Sequence, residues 1–445
     1  MKRLLWFRRD LRVEDNPLLS LEGEVLPIFI FDTNLLDPLA KNDLRVGMLH
    51  AMIAALKQAL KQHGLDLCVF RGDPVEIIGA LHARYRFDEV CASGDYDAYA
   101  LERDRRVSEL LPFNPLHDTY IFRPEEMLKR DGSPFLVFTP FYHAAGARLS
   151  PEHLREYRPA AQTLLPCAAP MPGLDALGFE SVSRLPEPPG KVLERFAPKL
   201  AAYKETRDRL DCEGTSHLSV ALRFGTLSVR ALLRWLAEQN RRGIDTEPFF
   251  RQLLFRDYYA HMLFHFPELA WKNFRFAWNG IEDEARHAAF CEGRTGFPVV
   301  DAGVRELVQT GNMPNRVRML CASFYTKDLL LPWQEGERFF AAHLNDYDAA
   351  SNILSWQWSA GTGIDPWPWF RIFNPWLQGK KFDPDAVYIK RWCPELKNVD
   401  AKQLHDETWM TAHPPAGYPR PVVRHKAAAD TALTYFKAHQ GGLNA

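Results

Sequence analysis

The chain has 445 residues. A single hydrophobic core rarely supports a chain of this length, so two domains are predicted. Its 55 lysines and arginines nearly balance its 56 aspartates and glutamates, which excludes a general polyanion binder and restricts any nucleic-acid surface to a local patch. Its seven cysteines are scattered without a Cys-x-x-Cys pair, which argues against a disulfide framework and a structural zinc site.

The first 140 residues predict a parallel β-sheet with crossover helices. Short apolar runs alternate with amphipathic stretches, and the runs are RLLWF, EVLPIFIFD, LDLCVF, DEVCAS and DTYIF. Between the second and third runs, helical spacing relates the apolar residues Leu49, Met52, Ile53, Leu56 and Leu60. Gly64 is expected to end this helix, so the pattern predicts a βαβ unit.

The middle of the chain predicts a domain connector. Residues 151–190 contain eight prolines, and we expect no regular element there. From about residue 191 the apolar periodicity becomes helical and strand patterns disappear. The predicted organisation is a Rossmann-like α/β domain over 1–130, a connector over 131–190 and a larger all-α domain over 191–445.

No segment predicts membrane insertion. The start, MKRLLWFRRDLRVEDN, becomes charged after six residues and lacks an apolar signal core. No run reaches the roughly 18 apolar residues of a membrane-spanning helix. We therefore expect a soluble, cytoplasmic protein that does not contact a membrane. A monomer is also expected.

Three polar segments are candidates for chemistry. In EGTSHLS, Thr215 and Ser216 could cap a helix whose first amides bind phosphate, although a plain helix cap is the commoner role. In NMPNRVRM, helical spacing places Asn315 and Met319 on one face, which could line a cavity or belong to an ordinary surface helix. Arg318 would lie beside them.

The third segment, LNDYDAASN, carries Asp346, Asp348 and Asn352. Paired carboxylates suggest a metal site or acid-base chemistry, but no glycine stands at the calcium-loop position, which excludes an EF-hand. An ion pair between Asp346 and Arg318 is the structural alternative. Residues 355–370, SWQWSAGTGIDPWPWF, hold four of the twelve tryptophans, and packing alone could explain them.

Taken in order, these segments resemble the DNA photolyase/cryptochrome family over nearly the whole chain. The N-terminal signature is LLWFRRDLRVEDNPLL. The C-terminal signatures are YKETRDRLDCEGTSHLS, EGRTGFPVVDAGVREL, TGNMPNRVRM, PWQEGERFF and SWQWSAGTGIDPWPWFRIFNPWLQGKKFDPD. The resemblance implies an α/β antenna domain followed by a helical domain that binds FAD, with FADH⁻ as the active form.

The resemblance also assigns residues. Those that match flavin-binding positions are Tyr203, Thr215, Ser216, Leu218, Ser219, Phe249, Arg318, Asp346, Asp348 and Asn352. Asn352 matches the residue that faces flavin N5, where an amide can tune the redox chemistry. Those that match positions contacting DNA or the lesion are Arg207, Gln252, Phe255, Asn315, Arg316, Met319 and Gln378.

Aromatic residues of the C-terminal signatures match an electron relay. Trp356, Trp333 and Trp278 correspond to the family's three tryptophans, and Trp358 is expected to wall the flavin or lesion pocket. For Trp367 and Trp369 the expected role is packing or a DNA-facing surface, without electron transfer.

The implied activity is light-driven repair of cyclobutane pyrimidine dimers in UV-damaged DNA. Gln252 and Phe255 stand where dimer-repairing members usually have a carboxylate and a tryptophan, and glutamine is reminiscent of (6-4) photolyases. The helix MPNRVRM has no histidine to serve as the acid of (6-4) repair, which favours the dimer. A cryptochrome-type photoreceptor is the alternative from another class.

An antenna chromophore is the last implied feature. Glu102 matches an acidic position that contacts methenyltetrahydrofolate in some members, but Leu101 replaces the neighbouring asparagine. A folate, a deazaflavin or no antenna all stay open.

Overall fold

The computed structural model describes residues 1–167, 169–180, 182–366 and 368–439. Its contacts divide the chain into two compact units. Unit 1 comprises Met1–Ala201 and Ser216–Pro267, and unit 2 comprises Ala202–Thr215 and the described residues from Glu268 onward. The predicted boundaries at residues 130 and 190 stay a prediction, and the units are described separately.

Unit 1 contains a six-stranded parallel sheet. Its strands are β1 Lys2–Phe7, β2 Gly23–Asp32, β3 Cys68–Gly72, β4 Glu89–Ser93, β5 Phe113–Leu116 and β6 Gln162–Leu164. The order is β3-β2-β1-β4-β5, with β6 also pairing with β2. Leu5 and Phe7 enter one apolar core and Leu4 and Trp6 the other, because successive side chains of a strand point to opposite faces. The predicted α/β class is confirmed.

The other regular elements of the described residues are helices. They are α1 Thr33–Leu36, α2 Leu44–Gln62, α3 Pro74–Tyr85, α4 Ala98–Ser108, α5 Phe138–Arg148, α6 Pro189–Phe196, α7 Tyr203–Thr206, α8 Ser219–Phe224, α9 Val229–Arg241, α10 Glu247–His265, α11 Glu284–Cys291, α12 Pro298–Thr310, α13 Asn315–Ser323, α14 Trp333–His343, α15 Ala349–Ala360, α16 Pro375–Phe382, α17 Val387–Trp392, α18 Ala401–Leu404, α19 Glu407–Ala412 and α20 His425–Ala438. Helix α2 confirms the helix predicted between the second and third strands. Gly64 follows its end with φ +73°, which suits glycine.

The strand predicted at DTYIF is wrong. The fifth strand is Phe113–Leu116, and residues 119–122 form a bend. The N–H groups of Ile121 and Phe122 donate to Oδ2 of Asp257, at 2.8 and 2.9 Å. In a β-sheet these N–H groups would donate to the carbonyl groups of a neighbouring strand. Because they donate to the carboxylate instead, Ile121 and Phe122 are buried without joining the sheet.

The expectation that residues 151–190 form no regular element is also wrong. Gln162–Leu164 forms β6, which pairs in parallel with Gly23–Val25 of β2, and the N–H of Leu165 extends the pairing to the carbonyl of Val25 at 2.8 Å. These residues lie in a proline-free stretch, so their N–H groups are available to an open strand edge.

In the described residues of unit 2, all regular secondary structure is helical, as the periodicity predicts. Between α13 and α14 the chain makes one turn of π-helix, Phe324–Asp328, on which α20 packs. His425 at the start of α20 places Nδ1 2.5 Å from Oδ1 of Asp328. In the part of the chain that the structure describes, no helix combines the length and apolarity needed to cross a membrane.

A buried histidine of unit 1 makes the stability of the fold depend on pH. His261 in α10 lies with Nε2 3.0 Å from the carbonyl oxygen of Phe122, and burial lowers its pKa from 6.5 to about 3. Below pH 6.5 His261 is protonated in the unfolded chain but stays neutral in the folded protein. We therefore expect this residue's stabilisation, complete above pH 6.5, to fall by about 1.4 kcal/mol per pH unit down to about pH 3.

The substitution His261→Gln isolates this effect, because glutamine keeps an N–H donor for Phe122 and does not titrate. Asp257, whose pKa burial raises to about 7, titrates over the same range with the opposite sign. The informative quantity is therefore the difference in unfolding free energy between wild type and variant, measured with urea from about pH 7 to about pH 5. A difference that does not change with pH would contradict the assignment.

Candidate functional site

An ion pair joins α13 to the loop before α15. Nη2 of Arg318 donates to both carboxylate oxygens of Asp346, at 2.9 and 3.0 Å, and Nε donates to the carbonyl of Met313 at 2.8 Å. The Asp346 side chain is 8% exposed and that of Arg318 29%, so the carboxylate is shielded from water while the guanidinium is partly open to it. This is the pairing that the sequence suggested, and it fixes the guanidinium in a plane.

Asn352 of α15 is oriented by a carboxylate. Its Nδ2 donates to Oε1 and to the backbone carbonyl of Glu337 in α14, at 2.9 and 3.2 Å. Burial raises the pKa of the Glu337 carboxyl. Since both amide hydrogens are directed at Glu337, Oδ1 is the atom of Asn352 that can accept a hydrogen bond from a ligand. Sequence reasoning missed Glu337, because nothing in the local pattern relates it to Asn352.

Asp348 and Ser216, in the segments LNDYDAASN and EGTSHLS, make hydrogen bonds to nearby backbone. Asp348 caps α15 by accepting the N–H of Ser351 at 3.1 Å. Thr215 and Ser216 do not cap a helix as expected, because α8 begins at Ser219 with Leu218 at its cap position. Ser216 Oγ accepts instead from the N–H of Leu218, at 3.4 Å.

The flavin candidates Tyr203 and Phe249 are both buried. Tyr203 begins α7 in unit 2, and the Arg207 guanidinium lies 5.8 Å from its ring centroid. Phe249 belongs to α10 in unit 1, where its ring packs 5.1 Å from that of Phe196.

The DNA candidates of unit 2 form a small basic group. Arg316 donates to Asp208 at 2.7 Å and lies 4.5 Å from the Phe382 ring, while Arg207 lies 3.8 Å from the same carboxylate. Two guanidinium groups around one carboxylate leave one net positive charge. Asn315 and Met319 share a helix face, as predicted, with Nδ2 3.6 Å from the sulfur.

Further DNA candidates lie on two other helices. Gln378 is half-buried in α16, whose last turn carries the exposed lysines Lys380 and Lys381. In unit 1, Gln252 and Phe255 belong to α10.

The two α10 candidates are held by neighbours in unit 1. Gln252 donates to the carbonyl of Pro248 at 3.4 Å. Phe255 stacks on Phe138 with centroids 3.5 Å apart and planes at 6°, and Arg251 lies 4.9 Å from the Phe138 ring. One face of Phe255 is therefore covered, so a base that stacks on this ring would use the other face.

Trp356 of α15 is 1% exposed and packs directly on backbone. The ring of Phe340 lies 4.8 Å away and that of Tyr325 5.6 Å away, both nearly perpendicular to the indole. A Cβ at Gly336 of α14 would lie 2.3 Å from the indole, so only glycine fits there without a shift.

One amide connects the other two candidate relay residues. The indole N–H of Trp333 donates to Oδ1 of Asn273 at 2.7 Å, and Nδ2 of Asn273 donates to the carbonyl of Trp278 at 2.9 Å. Trp278 is 3% exposed and lies between Phe276 and Phe436, with centroids 4.5 and 4.6 Å away. Asn273 was not predicted, since its contact with Trp333 joins residues 60 positions apart in the sequence.

Among the other aromatic residues, Trp358 is half-buried, and Trp369 packs 6.5 Å from Phe436. Trp367 lies outside the described residues. Glu102, the antenna candidate, is exposed and accepts hydrogen bonds from Arg105 at 2.8 and 2.9 Å.

Comparison with known proteins decides the family. The model of the DNA photolyase domain matches residues 3–162, and that of the FAD binding domain of DNA photolyase matches residues 249–438. A deoxyribodipyrimidine photo-lyase of Synechococcus is 35% identical over 95% of this chain and 93% of that protein. The chain belongs to the DNA photolyase family.

Other photolyases agree in sequence and fold. The deoxyribodipyrimidine photo-lyase of Thermus thermophilus is 37% identical over 90% of this chain and 94% of its own length. The crystal structure of a class III photolyase from Agrobacterium tumefaciens superposes with a TM-score of 0.86 at 32% identity, covering 98% of this chain and 97% of that one. The α/β sheet followed by a helical remainder is therefore the photolyase fold.

FAD is the cofactor of this photolyase domain, and the residues present fit it. Oδ1 of Asn352 is an oriented acceptor in a buried setting, which suits an N–H of the flavin ring. The charge of Arg318 is already balanced by Asp346. The N–H groups of this guanidinium can therefore bind a polar ring without burying an unpaired positive charge.

Proposed function

We propose that the protein is a deoxyribodipyrimidine photo-lyase that repairs cyclobutane pyrimidine dimers in UV-damaged DNA under blue or near-UV light. The observation that carries this proposal is similarity to proteins of that name over nearly the whole chain. When bound, reduced FAD would supply the one-electron chemistry that splits the dimer. The protein's residues position the partners and set their electrostatics.

The proposed flavin residues are Tyr203, Thr215, Ser216, Leu218, Ser219, Phe249, Arg318, Asp346, Asp348 and Asn352. Asn352 would hold the N5 side of the ring through Oδ1, since Glu337 fixes the amide. The carboxylate of Asp346 keeps Arg318 in place, which reduces the conformational freedom that binding must restrict.

The proposed DNA residues are Arg207, Gln252, Phe255, Asn315, Arg316, Met319 and Gln378. Arg207 and Arg316 would contact phosphates, because guanidinium groups position DNA through its backbone. Asn315, Met319 and Gln252 would contact the damaged bases, and Phe255 would stack on one of them. A base–aromatic stack contributes about 1 to 3 kcal/mol, and a dimer that already stacks poorly costs less to move out of the duplex.

The proposal is tested with purified, reduced protein and an oligonucleotide that contains one cyclobutane dimer. We expect light-dependent loss of the dimer, no loss in darkness, and no repair of a matched oligonucleotide with a (6-4) photoproduct. Protein that contains reduced FAD but leaves the dimer intact would refute the repair function and favour a photoreceptor.

We further propose that Trp356, Trp333 and Trp278 carry electrons to oxidised FAD, which restores the active form. Indole is readily oxidised, and the hydrogen bonds of Asn273 tie Trp333 to the backbone of Trp278 in a dry environment. We also propose that the protein acts as a monomer in the cytoplasm, which sedimentation and fractionation of cells would test.

A further inference from the structure

Tyr325 lies between Trp356 and the surface of unit 2. It belongs to the π-helical turn Phe324–Asp328 and is fully buried. Its ring meets the indole of Trp356 edge to face, with centroids 5.6 Å apart and planes at 89°. Single π-helical turns interrupt regular helices and frequently mark functional positions. An oxidisable phenol therefore packs directly against the proposed first residue of the relay.

The phenol has a base at hydrogen-bond distance. Oη of Tyr325 lies 2.7 Å from Nδ1 of His287 and 3.4 Å from Oε2 of Glu335. On the other side of the imidazole, Sγ of Cys291 lies 3.5 Å from Nε2. The His287 side chain is 34% exposed, so a proton accepted from the buried phenol can pass on to water.

His287 opens into an acidic surface pocket of about 540 Å³. Its lining residues are Glu282, Asp283, Glu284, His287, Glu335, Arg338 and Phe339. The four carboxyl groups outnumber the one guanidinium, so the pocket carries a net negative charge. The pocket is thus suited to receive a positive charge on His287.

The other relay residues lack a comparable base. Nε1 of Trp278 has no acceptor among the described residues, and the ring is enclosed by Phe276 and Phe436. The indole N–H of Trp333 is bound to a neutral amide, that of Asn273. A positive charge on either indole is therefore buried without a group to take its proton, which is unfavourable.

We propose that Tyr325 is a redox-active residue that reduces the oxidised indole of Trp356 while its proton moves to His287. This inference rests on the proposed role of Trp356 in the relay, and the oxidising equivalent comes from light-driven reduction of oxidised FAD. One electron passes from Tyr325 to the Trp356 radical cation. The phenolic O–H bond breaks, and its proton binds Nδ1 of His287. The products are neutral Trp356, a neutral tyrosyl radical and a protonated imidazole.

The transfer of electron and proton together follows from the surroundings of the phenol. Burial and the nearby Glu335 carboxylate raise the pKa of Tyr325 above its ordinary value, so the phenolate does not form beforehand. An unaccompanied electron loss would leave a buried phenol cation, which is costly in an apolar environment. Transfer of the proton to His287 along this hydrogen bond, whose Oη and Nδ1 atoms lie 2.7 Å apart, avoids both charged species on Tyr325.

The consequence is a longer-lived reduced cofactor. The Trp356 radical cation can be neutralised when the electron returns directly from the flavin. Reduction of the neutral tyrosyl radical to tyrosine also requires the proton that has left, so this return is slower. Tyr325 and His287 thus provide an exit from the relay at its first step, towards the acidic pocket.

The test is flash photolysis of the complete, oxidised FAD-containing protein, followed by transient absorption and electron paramagnetic resonance. We expect a tryptophanyl radical that is replaced by a neutral tyrosyl radical, more slowly in D₂O than in H₂O. Protein with ring-deuterated tyrosine should show a narrowed resonance signal. In Tyr325→Phe the tyrosyl signal should be lost and the tryptophanyl radical should live longer.

Two further variants keep the test decisive. Tyr388→Phe is the matched control, because Tyr388 is also buried and donates its O–H to a carboxylate, that of Glu306, so its loss should leave the tyrosyl signal unchanged. His287→Gln changes a partly exposed residue and replaces a base by an amide that cannot take the proton. It should suppress the tyrosyl signal and its isotope effect.

A tyrosyl signal that persists in Tyr325→Phe would overturn the proposal, as would a wild type that forms only tryptophanyl radicals. Normal radical formation in Trp356→Phe would overturn this inference and the relay assignment together. Dimer repair by pre-reduced protein should be the same in Tyr325→Phe as in wild type, so a failure of the proposed repair function is seen independently.

Discussion

Replacement of Trp356 by phenylalanine is expected to abolish photoreduction of oxidised FAD while leaving dimer repair by pre-reduced protein largely intact. Phenylalanine is much harder to oxidise than indole, so it cannot pass an electron inward. The smaller ring leaves space beside Gly336 and Phe340, and we expect a loss of about 1 to 3 kcal/mol in unfolding free energy. The measurement is the light-induced change of flavin absorption in the presence of an external reductant.

Trp376→Phe is the matched control for this substitution. Trp376 is 5% exposed and packs 4.9 Å from Phe297, and it has no place in the proposed relay. A similar loss of stability with normal photoreduction is expected, which separates packing from electron transfer. Unchanged photoreduction in Trp356→Phe would mean that another residue carries the electron.

The substitution Gly336→Ala is expected to destabilise the protein by about 1 to 3 kcal/mol and to slow photoreduction. The added Cβ would stand 2.3 Å from the Trp356 ring, so the indole or the backbone of α14 must move. Either movement changes the packing of Trp356 against Tyr325 and Phe340. Denaturant unfolding and flavin photoreduction measure the two effects in one preparation.

Gly146→Ala provides the comparison. Gly146 also lies inside a helix, α5, but a Cβ there would meet nothing within 4 Å. Alanine favours helix over glycine by about 1 kcal/mol, so this variant should be as stable as wild type or more so. If both variants behaved alike, the close approach of Trp356 to α14 would not be a determinant of stability.

Local patterns determined much of the fold in advance. Helix α2 follows from the spacing of Met52, Leu56 and Leu60, and the parallel sheet follows from short apolar runs separated by helices. The run DTYIF has the composition of a strand. Two of its backbone N–H groups donate instead to Asp257, which lies at least 135 residues further along the chain. Such a long-range acceptor leaves no trace in the local sequence.

One contact of the candidate site was predictable from the sequence, and the others were not. The ion pair of Arg318 with Asp346 was foreseeable, because opposite charges in two polar segments suggested it. The contacts of Asn352 with Glu337, of Trp333 with Asn273 and of Tyr325 with His287 join separate helices and loops, so residue types alone could not pair them. The resemblance supplied positions, whereas the structure supplied the partners that orient them.

Unit 1 is formed by two separate stretches of the chain, so the partners of one buried ion pair are synthesised at different times. Asp118 is buried and binds Arg12, but its second partner, Arg230, lies 112 residues later, after a stretch that belongs to unit 2. At about 5 to 20 residues per second, a ribosome needs roughly 6 to 22 seconds to supply that guanidinium. The N-terminal sheet therefore emerges before this buried ion-pair network is complete, and a nascent chain stalled before residue 230 should be more accessible to proteases and chaperones than the released protein.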